Sequence, residues 1–322
     1  MADVAIERGG GHVADHPETT TGLSHTKLAM WLFLASECML FGALITTYVL
    51  YRGRSIEGPY PADIFDIPYT SVSSFVLLAS SVTMVLALSA AQQRDEGRMR
   101  LWLLTTALLG MTFVGGQVYE FTAFYKEGLT LSKNLFGTTF YVLTGFHGVH
   151  VTVGVLMLLS LFGMSFAKRL PDDPSFPIEM VGLYWHFVDI VWIVIFTVVY
   201  LIPTPSPGVP VALEELIEPV EIPVSAGAHG AGHPSPKEYV RIGVILFVLT
   251  ALEITASYTH VSGSILIPTL FVLAIVKFAL VVLWFMHLKF DDRRFARFFV
   301  MGLAGASILY LIVLITFRVF LR

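Results

Sequence analysis

The chain of 322 residues is 55% hydrophobic and only 14% charged, with a formal net charge of −4. Charged residues make up about a quarter of an ordinary soluble domain, so that class is excluded, and neither charge nor motif points to nucleic acid. Several nearly uncharged runs of roughly twenty residues or more place it among α-helical integral membrane proteins.

Residues 1–26 are polar and rich in Gly, Thr and His. They lack the cationic flank, short apolar core and small-residue cleavage site of a signal peptide, so insertion is expected to rely on the first spanning helix. Hydrophobic runs, measured against the roughly 20 residues needed to cross a bilayer, predict eight spans. They lie near 27–51, 70–92, 101–125, 135–166, 180–202, 239–260, 265–288 and 296–319. The breaks "RGRSIEGPYPADIFDIP", "QQRDEGRMR", "KEGLTLSKN" and "KRLPDDPSFPIE" combine charges with Gly, Pro or other polar residues, as loops do. Residues 203–236 differ from these: they hold eight prolines, four glutamates and no Lys or Arg. That composition favours an extended, solvated linker. It divides the chain into a five-span module, 27–202, and a three-span module, 237–322. The fold class read from this pattern is all-α, a polytopic transmembrane helical bundle of about eight spans. Two subunits fused into one polypeptide is its simplest organisation.

A charge at the bilayer centre costs about 2.5–3.5 kcal/mol on insertion scales, so each needs a reason. The intramembrane set is Glu37, Glu120, Asp189, Glu253 and Lys277, with His147, His150 and His186 beside them. His147 and His150, in "FYVLTGFHGVHVTVG", stand three apart and share a helix face. Paired histidines suggest haem or metal. A di-haem bundle, however, needs pairs on facing helices, and this chain adds lone His186 and His287. A carboxylate-bridged di-iron bundle needs Glu-x-x-His on two helices, a tetrapeptide that does not occur. Interhelical hydrogen bonding at roughly 0.6 kcal/mol per bond is the favoured reading, with no metal ligated.

His186 and Asp189 in "YWHFVDIVW" repeat the spacing of three, so the carboxylate can accept the imidazole N–H and fix the ring. A proton relay is the alternative. Glu37 in "WLFLASECMLFG" has apolar neighbours on both sides and is a proton-related candidate, or a plain hydrogen-bond donor. Glu120 follows two glycines that permit close helix approach and reads as a structural partner. Glu253 and Lys277 lie on consecutive spans, where a long Lys stem lets them form an ion pair across the hairpin. Cys38 is the one cysteine; it excludes an intrachain disulfide and reads as a small buried hydrophobe.

The segments "HTKLAMWLFLASECMLFGALITTYVLYR", "FGTTFYVLTGFHGVHVTVG" and "GLYWHFVDIVWIVIFTVVYL" resemble the signature segments of subunit III of cytochrome c oxidase and related quinol oxidases. The tail, in particular "KFALVVLWFMHLKFDDRRF", resembles the three-span subunit IV of bacterial haem–copper oxidases. The resemblance implies an accessory, non-catalytic subunit in a bacterial cell membrane. It implies no redox cofactor in this chain, haem and copper held by partner subunits I and II, and bound phospholipid. Glu37 falls at the family's buried, carbodiimide-reactive glutamate, and His186, Asp189 and Glu120 match polar positions of its helix interior. His147 and His150 become structural or lipid-contacting residues. The family role is to stabilise the catalytic subunit and to aid its proton uptake and oxygen access. The mitochondrial form has seven spans against five here, and Cys38 stands where an aliphatic residue is usual.

Two other functions compete: an accessory protein of a nitric oxide reductase, and a proton-coupled secondary transporter using Glu37, Asp189 and Glu253. The subunit IV-like tail argues against the first. The transporter predicts inverted repeats, and none is visible; a free-standing membrane cytochrome ranks below both. Topology adds a conflict. Strict alternation from a cytoplasmic N-terminus leaves the linker outside, in keeping with its lack of Lys and Arg. It also puts the loop of Lys289, Arg293, Arg294 and Arg297 outside, whereas separate subunit IV chains keep that loop inside. An inverted tail or a different span count would resolve it.

Overall fold

A computed structural model describes residues 24–171, 173–203, 236–258, 263–286, 288 and 293–317. The polar segment 1–23, most of the linker and the loop residues His287 and Lys289 lie outside the described residues. So do the side chains of Arg293 and Arg294. Nine α-helices are present among the described residues: α1 His25–Tyr51, the short α2 Pro61–Ile64, α3 Ile67–Gln92, α4 Glu96–Lys126, α5 Leu135–Phe166, α6 Ser175–Ile195, α7 Pro236–Tyr258, α8 Gly263–Leu280 and α9 Arg293–Thr316. Two end in π-helical turns, α6 through Phe196–Leu201 and α8 through Val281–Phe285. Eight of the helices are long and apolar enough to cross a membrane, and no strand occurs among the described residues. The all-α polytopic bundle expected from the sequence is the fold observed.

Helices α3 and α4 begin a few residues before their apolar runs because polar caps start them, and a cap also starts α5. Asp66 accepts from the Tyr69 amide at 3.1 Å, Asp95 from Arg98 at 3.0 Å and Asn134 from Gly137 at 2.7 Å, each satisfying an orphan first-turn donor. The short α2, inside a segment read as loop, starts at Pro61, whose fixed φ suits a first turn. Helix α6 is the axis of the bundle. From Leu183 to Ile193 every residue is buried, and it packs on α1, α3, α5 and α8.

The helix directions correct the alternation argument. Lys27 pairs with Glu179 at 2.7 Å near one end of α1 and α6, and Arg52 donates to the Pro203 carbonyl at 2.6 Å near the other, so these helices run parallel. Helix α3 opposes them, with Ser81 on Asp189 and Ser74 on Trp192. Helix α7 opposes α3 in turn: Phe75 stacks on Phe247 at 5.3 Å, and Val82 meets Gly243. Therefore α7 runs parallel to α6, and residues 203 and 236 sit at opposite ends of the bundle. Among the described residues eight helices are long and apolar enough to span, and Arg297 lies in the first turns of α9, at the end where α1 begins, as Trp31 against Phe299 at 5.6 Å requires.

The tail helices do not form a bundle of their own. Helix α9 packs along α1, α7 along α3, and α8 against α7 and α6. Small residues allow the closest approaches: a Cβ on Gly302 would stand 2.6 Å from that of Ala35, and one on Gly243 equally close to Val82. Without a hydrophobic driving force in lipid, such close packing is what holds membrane helices together.

Candidate functional site

The polar side chains singled out above fall into three groups inside the bundle. The first joins α1 to α5. Glu37 Oε2 lies 3.3 Å from His150 Nε2, both side chains being largely buried. The approach has ion-pair distance without hydrogen-bond alignment. Nδ1 of His150 is 2.7 Å from the Phe146 carbonyl, one turn back on the same helix. Tyr184 donates to the backbone carbonyl of His150 at 3.0 Å, and Phe41 meets the imidazole edge-on at 5.0 Å. A carboxyl and an imidazole this close attract each other when both are ionised.

His147, three residues earlier, does something different. It is fully buried, stacked on Trp192 at 5.0 Å and met edge-on by Phe113 at 5.8 Å. Neither ring nitrogen has a hydrogen-bond partner among the described residues. The imidazole packs as an aromatic ring.

The second group surrounds Glu120 of α4. Its two carboxyl oxygens accept from Thr70 Oγ1 at 2.8 Å and Tyr200 OH at 3.2 Å. Glu120 thereby ties α4 to α3 and to the π-helical end of α6, and the aromatic rings of Phe65 and Phe140 close over Tyr200.

The third group lies where the tail meets the five-span module. Lys277 pairs with Glu253 in full burial, and Thr197 lies 3.1 Å from the other Glu253 oxygen. Asp189 accepts from Ser81 of α3 at 2.8 Å rather than from His186 of its own helix. His186 is buried with its ring 5.4 Å from Phe285. The π-turn at Phe196–Leu201 aims Thr197 at α7; such turns are frequent at functional sites. Among the described residues, no three His, Cys, Asp or Glu side chains converge as a metal site, and Cys38 is partly buried.

The sequence reading did not find the Glu37–His150 pairing, although both residues sit near the middle of their spans. It also missed the serines of α3, where Ser74 and Ser80 accept the indole N–H of Trp192 at 2.8 Å and Trp185 at 3.0 Å. Thr70, Ser74 and Ser81, at steps of four and seven along "TSVSSFVLLASS", mark one polar helix face.

Comparison with known proteins covers both modules. The family model described as cytochrome c oxidase subunit III matches residues 3–203, and that of prokaryotic cytochrome c oxidase subunit IV matches residues 240–316. The chain is 38% identical over 191 residues to the cytochrome bo(3) ubiquinol oxidase subunit 3 of Pseudomonas aeruginosa, covering 59% of this chain and 90% of that one. It is 40% identical over 190 residues to the cytochrome c oxidase subunit 3 of Bacillus subtilis, covering 58% and 90%. A probable quinol oxidase subunit 3 of Staphylococcus saprophyticus is 38% identical over 177 residues, covering 55% and 88%. Eight apolar helices together with such relatives make this a multi-pass bacterial membrane protein.

Proposed function

Because this chain belongs to the cytochrome c oxidase subunit III family, we propose that it is an accessory, non-redox subunit of a terminal respiratory haem–copper oxidase. The complex would reduce O₂ to water and pump protons with haem and copper held by subunits I and II. Residues 27–202 would act as the subunit III-like domain and 237–322 as the subunit IV-like domain, joined by 203–236. The observation that carries the reading is the family match across residues 3–203. The side-chain chemistry supports it: His150 is engaged with Glu37, and His147 is packed among aromatic rings.

The finer roles belong to the same proposal. Glu37 and His150 would be the proton-related pair that sustains uptake by subunit I. Exposed apolar side chains on α4 and α5, among them Leu101, Leu108, Val149 and Leu156, would face phospholipid, subunits I and II and the path of oxygen.

Purification through a tag on this chain in mild detergent tests the reading, followed by a reduced-minus-oxidised spectrum and metal analysis. Haem and copper are expected to arrive with larger partner chains and to leave when those are stripped away. Haem or metal retained by the isolated chain would overturn the proposal and make His147, His150 and His186 ligand candidates.

A further inference from the structure

Helices α6, α7 and α8 bury two carboxyl groups and one ammonium group in a single small volume. Asp189 is 1% exposed, Glu253 0% and Lys277 1%. Asp189 and Lys277, with Ser74, Thr250 and Trp192, line a cavity of about 10 Å³, close to what one water requires. Asp189 takes one hydrogen bond from Ser81, and its second oxygen has no hydrogen-bond partner among the described residues.

Charge and hydrogen counts lead to the same conclusion. With all three groups ionised the cluster carries one net negative charge. An uncompensated charge buried at membrane depth is costly. Among the described residues, the other side chains facing it are neutral or apolar: Ser74 and Ser81 from α3, Trp192 and Thr197 from α6, Thr250 from α7. His186, one turn before Asp189, is buried against Phe285 and does not line the cavity. One added proton makes the cluster neutral. Thr197 has a single hydroxyl hydrogen yet faces two acceptors, the Ile193 carbonyl at 2.9 Å and Glu253 Oε1 at 3.1 Å. Both contacts are satisfied if Glu253 Oε1 carries a proton and donates to Thr197, while Lys277 donates to Oε2.

We propose that this cluster is a proton-binding site at the junction of the two modules. One exchangeable proton resides on Glu253, and Lys277 is balanced by Asp189 across one buried water. The inference requires only that these helices lie in a membrane, so it stands or falls separately from the oxidase reading.

Infrared spectroscopy of the full-length protein tests it through the C=O stretch of protonated carboxyl groups, in ordinary and heavy water. The expected result is an acid band that shifts in heavy water and is lost in Glu253→Gln, a substitution that preserves the shape and hydrogen bonds of the neutral acid. Lys277→Met removes the balancing charge, so it should add a second acid band, from Asp189. Aspartate labelled with heavy carbon identifies that band even if Glu253→Gln fails to accumulate. An acid spectrum that neither substitution changes would overturn the proposal, and so would a bound proton traced to His186.

Discussion

Glu37 and His150 face each other across α1 and α5 with the tautomer already decided. The Phe146 carbonyl, 2.7 Å from Nδ1, can only accept, so Nδ1 carries a hydrogen and Nε2 is left to meet the carboxyl at 3.3 Å.

Replacing Glu37 with Gln keeps the shape of the acid and a donor toward Nε2. The variant is expected to assemble with a stability loss of about 0.6 kcal/mol, the average for an interhelical polar contact. In the assembled oxidase it should shorten working life or slow proton uptake. Counting turnovers before inactivation checks this; unchanged turnover and lifetime would reduce Glu37 to a packing residue.

The Glu253 position should discriminate sharply between substitutions. Glu253→Ala strips Lys277 and Thr197 of their shared partner and leaves a buried ammonium without its nearest hydrogen-bond acceptor, a change that should cost about 2–3 kcal/mol. Glu253→Gln retains both contacts and should cost about 1 kcal/mol. Thermal unfolding of the full chain in detergent would separate the two, and equal losses would contradict the geometry.

At the contact of α1 with α9, a side chain on Gly302 runs into Ala35. Gly302→Val is expected to destabilise by about 1–3 kcal/mol through overpacking, read as a lower unfolding temperature. Ala35→Gly in the same chain should recover part of the loss. Absence of any such rescue would place the two helices elsewhere.

The indole of Trp192 donates to Ser74 at 2.8 Å in the buried core. Ser74→Ala leaves that N–H without its acceptor and should cost about 1–3 kcal/mol. Trp192→Phe combined with Ser74→Ala should cost less than the sum of the single changes. A double-mutant cycle in unfolding free energy measures the difference.

Span positions were legible because hydropathy over a bilayer's thickness is a strong one-dimensional signal; the expected 135–166 coincides with α5. Pairings were less so, because spacing identifies a helix face and not what lies opposite it. A step of three residues turns a helix by about 300°, which still separates two side chains enough to choose different neighbours. His147 meets Trp192 while His150 meets Glu37. Asp189 likewise reaches past His186 to Ser81. Glu253 with Lys277 was the readable exception, since consecutive spans joined by a short turn must lie side by side. The direction of α7 escaped the sequence because hydropathy locates a span and carries no sign for the direction in which it runs.

The placement of the last three helices has an arithmetic consequence. With α9 lying on α1, and α7 and α8 on α3 and α6, the first module is gripped on two flanks by one continuous polypeptide. One message therefore delivers both halves in equal number, a ratio that separate genes would have to secure by matched expression.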